Sequence, residues 1–179
     1  MARVIITGPP GSGKTTLTLR VVEILRARNA VLAGFTTSEI RRGGRRTGFT
    51  LTGVGGLERT LAVRGGKGPK VGSYGVDVHA FEEVALLELE NGLELGSTLI
   101  VDEIGSMELL SDGFRALLPE IMSAPRLLAT LHTKADPATD EIKRRPDVVL
   151  LEVDRGRGGD QAEEVADLVQ DVRLGAPSH

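Results

Sequence analysis

The chain has no cysteine and no tryptophan, and only one tyrosine and four phenylalanines among 179 residues. Without cysteine there is no disulfide framework and no thiolate metal site. With aromatics at 3%, an aliphatic core is expected, and stacking of unpaired nucleic-acid bases on aromatic platforms is disfavoured. No apolar run approaches the ~20 residues that a membrane span needs, so no membrane association is expected. The formal charge of −3 gives no global attraction to nucleic acid or to anionic lipid, and no stable nucleic-acid binding is expected. The first residues enter an apolar strand directly, which predicts no secretory signal and a cytoplasmic setting. Hydrophobic residues at 40% and charged residues at 26% suit an ordinary globular protein. The length predicts one domain over 1–174, with 175–179 a frayed tail. Arginine outnumbers lysine, which fits a GC-rich genome or a hot habitat equally.

What is present is more specific. Residues 8–15 read Gly-Pro-Pro-Gly-Ser-Gly-Lys-Thr, the spacing G-x-x-x-x-G-K-S/T of a phosphate-binding loop. Gly8, Gly11 and Gly13 can take backbone angles closed to other residues, so successive N–H groups can turn toward an anion. Pro9, Pro10 and Ser12 complete the loop, and Thr16 follows it. Lys14 can reach the β- and γ-phosphates, and the Thr15 hydroxyl can ligate Mg²⁺. The context agrees with the motif. Residues 3–7 form a short β-branched run, and Leu17, Val21, Ile24 and Leu25 then recur on one helical face. A helix starting at the loop brings partial positive charge to the phosphates.

Further strands are predicted over 31–37, 47–52, 59–63, 98–101, 126–132 and 148–153, with Gly-rich turns at 53–56 and 65–68. Helices are predicted over 81–95 and from an N-cap at Ser111 to about 122, with a closing helix marked by Val165, Leu168, Val169 and Val172. The alternation implies a parallel sheet covered on both faces. The strand at 98–101 ends in Asp102-Glu103, the Walker B pattern. A parallel sheet gathers its strand C-termini on one edge, which brings this pair beside the loop. There Asp102 can hold Mg²⁺ and Glu103 can orient or deprotonate an attacking water. Phosphate-loop proteins that hydrolyse with such a glutamate usually have an extra strand between the loop strand and the Walker B strand, and by that resemblance the strand at 127–133 is expected there. Thr130 or His132 would then lie near the γ-phosphate; the alternative for His132 is a strand-end histidine facing solvent.

The chain resembles the small nucleoside-triphosphatases first described from thermophiles, whose animal members are called cancer-related nucleoside-triphosphatases. The resemblance rests on the loop, on 34–41 (Gly-Phe-Thr-Thr-Ser-Glu-Ile-Arg), on 46–49 (Arg-Thr-Gly-Phe), on 71–78 (Val-Gly-Ser-Tyr-Gly-Val-Asp-Val) and on 102–109 (Asp-Glu-Ile-Gly-Ser-Met-Glu-Leu). It implies a three-layer α/β P-loop NTPase fold with a mostly parallel sheet, a RecA-like core and a small β-hairpin insertion. It also implies Mg²⁺-dependent hydrolysis of nucleoside triphosphates to diphosphate and phosphate with loose base selectivity. Ile104, Gly105 and Ser106 join Asp102 and Glu103 as expected nucleotide-binding positions. Three departures stand out: Ser73 and Ser106 replace residues that are usually basic, and 154–157 (Asp-Arg-Gly-Arg) replaces an Asn-Arg pair. Arg155 and Arg157 are possible substitutes, or parts of a solvated loop.

Arg41 and Arg46 are candidates for a catalytic cation, which can be worth roughly 10³–10⁵ in rate. Alternatively, the four arginines around Gly43-Gly44 form a solvated loop. Asp77 and Glu108 also match family positions; Glu108 either supports the Asp102 site or pairs with an arginine on the surface. Tyr74 either stacks on a base or packs the core. The Gly/Arg segments at 41–46 and 64–70 keep open a nucleotide or small-molecule kinase, in which they would form a lid and hydrolysis would be a side reaction. A GTP switch is disfavoured because no Asn-Lys-x-Asp segment is present. A monomer or small homo-oligomer is expected, with a nucleoside triphosphate as the partner.

Overall fold

The computed structural model describes residues 3–134, 136–154 and 161–170. Arg155, Arg157, Val172 and the 175–179 tail lie outside them. The β-branched run ahead of the loop forms β1 (Arg3–Thr7), and the loop leads into α1 (Lys14–Ala27). Next come β2 (Leu32–Arg42), β3 (Arg45–Gly53), β4 (Glu58–Arg64), β5 (Lys70–Val71) and β6 (Tyr74–Val76). They are followed by α2 (Val78–Glu94), β7 (Thr98–Ile104), α3 (Asp112–Ile121) and β8 (Leu127–Leu131). Finally there are α4 (Pro137–Arg144), β9 (Val149–Glu152) and α5 (Ala162–Gln170).

The strands form one sheet in the order β5-β6-β4-β3-β2-β7-β8-β1-β9. From β2 to β9 every neighbour is parallel, and β3, β4, β6 and β5 extend the sheet in antiparallel fashion. β8 lies between β1 and β7, where the 127–133 strand was expected. Side chains alternate across a strand, so a strand covered on both sides divides its apolar residues between two cores. Val4, Ile6, Ile100 and Leu128 face α1 and α5, whereas Ile5, Leu99, Val101, Leu127 and Ala129 join the core under α2 and α3. This is a three-layer α/β arrangement.

Several expectations change. The core is mainly aliphatic, yet three of the four phenylalanines sit together in it. Phe35, Phe81 and Phe114 pack edge to face with ring centroids 5.4–6.2 Å apart. The antiparallel part is larger than a small hairpin. The arginine-rich segment is not a loop, because β2 runs to Arg42 and β3 starts at Arg45. Gly43 and Gly44, both at positive φ, make the two-residue turn that lets these strands pair. α2 begins at Val78 rather than 81, because the Asp77 side chain accepts the Ala80 N–H at 2.9 Å and caps it. Ser111 caps α3 as expected, accepting from Phe114 N at 3.0 Å. Three short elements were not anticipated: β5, β6 and α4. Asp136 followed by Pro137 is a helix-start signal for α4.

Candidate active site

The parallel topology places the C-terminal ends of β1 and β7 on one edge of the sheet, with the start of α1 between loop and core. Gly13 is the N-cap of α1 with φ 98° and ψ 16°, a left-handed conformation that an L side chain resists. Gly8 meets another constraint. A Cβ there would lie 2.4 Å from the Val153 carbonyl oxygen and 2.8 Å from Ser12 Oγ. The loop is therefore wedged against the end of β9 and can keep its shape only with glycine at that point. Lys14 Nζ donates to Gly8 O at 2.9 Å, so the ammonium lies along the loop.

β7 runs through the acidic pair to Ile104 rather than stopping at 101, and its register with β8 shifts between Val101 and Ile104. Asp102 is 1% exposed. Its Oδ1 accepts from Thr130 Oγ1 at 2.6 Å and from Thr15 Oγ1 at 3.3 Å. Its Oδ2 is buried with no hydrogen-bond partner among the described residues. Burial pushes the Asp102 carboxyl above its usual range, against the pull of Thr130, Thr15 and the Thr37 backbone. A hydroxyl and a carboxylate with an unused buried oxygen are hard donors, and they fit a Mg²⁺ ion. Glu103 Oε2 stands 3.9 Å from Lys14 Nζ. Burial raises its pKa too, and the Lys14 charge opposes that.

The remaining expected residues divide clearly. A cleft of about 970 Å³ runs from Gly8, Pro10, Gly11, Gly13, Lys14, Thr15 and Thr16, past Glu103 and Ser106, to Arg41 and Arg46 on the antiparallel strands. Pro9 accepts from Ser12 N at 3.1 Å and holds the loop turn. Ser12 is buried, and Ile104 is wholly in the core, so neither side chain faces the cleft. A Cβ at Gly105 would be 2.9 Å from Glu103 Oε1 and 3.1 Å from Glu108 Oε2, so this glycine lets the two carboxyl groups lie close to it. Glu108 is buried rather than paired on the surface, and burial with the nearby Glu103 charge pushes its pKa up to about 8. Thr130 bonds to Asp102 instead of reaching toward the cleft. His132 lines the cleft; its Nδ1 is 3.4 Å from Ser106 Oγ, and burial lowers its pKa.

Arg41 and Arg46 both pair with Glu39, at 2.6 and 2.9 Å. Tyr74 packs rather than stacking openly. It is 6% exposed, edge-on to Phe49 at 5.2 Å, and its oxygen accepts from Arg46 Nε at 3.0 Å. Sequence reasoning missed Thr37 as a cleft residue and reached Arg64 only as the start of the 64–70 lid segment of the kinase alternative. Thr37 ends the run 31–37 and so carried a positional signal. The pairing of Arg64 with Tyr74 carried none, because the two lie on different strands.

The fold and this loop define a phosphate-loop nucleotide-binding protein. The NTPase family profile matches residues 3–166. The nucleoside-triphosphatase THEP1 of Thermotoga maritima is 39% identical over 153 residues, spanning 84% of this chain and 86% of that protein. The cancer-related nucleoside-triphosphatase homolog of Bos taurus is 35% identical over 189 residues, 97% of this chain and 100% of that one. The crystal structure of THEP1 from the hyperthermophile Aquifex aeolicus superposes with a TM-score of 0.82 at 36% identity, covering 94% of this chain and 99% of that chain. The chain belongs to this NTPase family and is a nucleoside-triphosphatase with the P-loop NTPase fold. Among the described residues, no helix is long and apolar enough to cross a membrane.

Proposed function

We propose that this protein hydrolyses nucleoside triphosphates to diphosphate and phosphate in a Mg²⁺-dependent reaction with little selection among bases. The observation that carries the reading is the convergence of Lys14, Thr15, Asp102 and Glu103 at one edge of the sheet, with hydrogen bonds or ion pairs linking them. The loop amides and Lys14 bind the phosphates and offset the charge that develops on the γ-phosphoryl group. Thr15 and Asp102 are the residues that would hold Mg²⁺, which would supply positive charge against that of the triphosphate. Thr130 orients Asp102 through its hydroxyl. Glu103 positions a water for in-line attack on the γ-phosphorus and takes its proton, and the elevated pKa of a buried carboxyl suits it to that task. Loose base selectivity is supported by the state of the cleft's two aromatic rings, since Phe49 and Tyr74 are engaged with each other.

The test is phosphate release from ATP, GTP, CTP and UTP with Mg²⁺ and no acceptor, for wild type and Glu103→Gln. Turnover on all four that falls by about 100-fold or more in the variant, with nucleotide still bound, supports the reading. Normal turnover by Glu103→Gln removes the role of that carboxylate. Tight binding with no release from the wild type transfers the argument to a kinase with an unknown acceptor.

A further inference from the structure

The wall of the cleft built by the antiparallel strands carries arginines to which the proposed hydrolysis assigns no role. Arg64 ends β4 and lies opposite Tyr74 on β6. The guanidinium carbons of Arg46 and Arg64 stand 5.7 and 5.4 Å from the Tyr74 ring centroid. Both arginines donate to its phenol oxygen, Arg46 from Nε at 3.0 Å and Arg64 from Nη2 at 3.3 Å. Their charges are compensated differently. Glu39 is shared by Arg41 and Arg46, whereas Arg64 has no ion-pair partner among the described residues and bonds there only to the neutral phenol. Three guanidiniums thus face one carboxylate. The Tyr74 ring, itself wedged against Phe49, holds the two forks in place, which lowers the ordering cost of binding an anion.

This wall and the loop line the same cleft, but they rise from different parts of the sheet: β4 is five strand positions from β1, roughly 24 Å along the sheet at the usual spacing. We propose that Arg64 and Arg46, braced by Tyr74, form a second anion subsite that takes the phosphate group of a small molecule other than the loop-bound nucleotide. A guanidinium fork matches the geometry of phosphate oxygens and can bind two of them at once. The subsite does not depend on the hydrolytic roles assigned to Asp102 and Glu103.

The composition supplies a probe. Tyr74 is the one tyrosine of a chain without tryptophan, so intrinsic tyrosine fluorescence reports on this cluster alone. Tripolyphosphate, which does not absorb at the exciting wavelength, is titrated into wild type, Lys14→Ala, Arg64→Ala and Arg64→Lys with a chelator present. A saturable change is expected in the wild type and, with a midpoint within about two-fold, in Lys14→Ala, whose loop is disabled. The midpoint should rise by about ten-fold or more in Arg64→Ala and by less in Arg64→Lys, as expected for a lost or weakened charge-assisted contact. Phosphate release from ATP without the probe should be unchanged in Arg64→Ala. A signal that vanishes in Lys14→Ala would mean that the tyrosine senses the phosphate on the loop, and the second subsite would be abandoned. An Arg64→Ala titration equal to wild type, or no change in wild type, overturns the proposal equally.

Discussion

Replacing Thr130 with valine removes one hydroxyl beside Asp102 and keeps the β-branched shape that β8 accommodates. Thr130 is wholly buried, and its hydroxyl makes the shorter of two side-chain hydrogen bonds to Asp102 Oδ1, 2.6 Å against 3.3 Å from Thr15. Burial already disfavours the ionised form of Asp102, and the Thr130 bond is the largest influence holding it ionised. A hydrogen bond to a charged acceptor contributes about 1.5–3 kcal/mol. Its loss disfavours the carboxylate by a factor of about 10 to 150. If Asp102 holds Mg²⁺ as proposed, it does so ionised, so the Mg²⁺ concentration that half-saturates phosphate release should rise, by up to that factor at pH values below the folded-state pKa of Asp102. Turnover at saturating Mg²⁺ should recover most of its wild-type value, because Lys14 and Glu103 are untouched. The assay is a Mg²⁺ titration of phosphate release at fixed ATP, with circular dichroism to verify the fold. A half-saturation point equal to wild type in a folded variant would show that Thr130 does not orient Asp102, and the reasoning would fail.

Gly8→Ala drives a Cβ to within 2.4 Å of the Val153 carbonyl oxygen, a backbone atom that cannot yield without moving the end of β9. Calorimetric titration with ATP should show binding weakened by about ten-fold or more, since loop amides placed a few tenths of an ångström off no longer converge on phosphate. Phe114→Ala removes one ring of the three-phenylalanine cluster and should cost about 3–5 kcal/mol in urea unfolding; a loss below about 1 kcal/mol would show that the cluster collapses freely. The pH prediction concerns Glu108, whose pKa is raised by burial and by the Glu103 charge to about 8. Between the ordinary glutamate range and about 8, the folded protein keeps a proton that the unfolded chain has released. The stabilisation from this group is complete at low pH and declines as pH rises through that window. Urea midpoints at about pH 5 and about pH 8.5 should therefore diverge more in wild type than in Glu108→Gln, and equal divergence would remove the buried proton from the account.

Local signals served well where a residue's partners lie within a few positions in sequence. The glycines and Lys14 of the loop, the Ser111 cap and the apolar run ending in Asp102-Glu103 each act within a turn or a strand. The insertion of β8 between β1 and β7 was anticipated only through the likeness of the Asp-Glu pair to that of other phosphate-loop hydrolases, not from any local signal. The arginine segment was harder. Gly43-Gly44 suits a loop and a tight hairpin turn alike, and only pairing along the whole of β2 and β3 distinguishes them. Asp77 was noted as a family position, but its role as a helix cap appears only when α2 starts at Val78.

The sequence by itself determined the loop's character, because its shape comes from backbone freedom at glycines and its charge from one lysine. It also determined the class of fold, through strands and helices that alternate with distinct periods. Tertiary structure decided what each isolated charge or ring does. It placed Thr130 on Asp102, buried Glu108 so that its pKa is pushed up, paired Arg41 and Arg46 with Glu39, and set Arg64 on Tyr74 with no carboxylate partner among the described residues. The reason is physical: a group's pKa and its hydrogen-bond partners depend on burial and on neighbours from other strands. Those neighbours are fixed by sheet order and register, which no window of sequence contains.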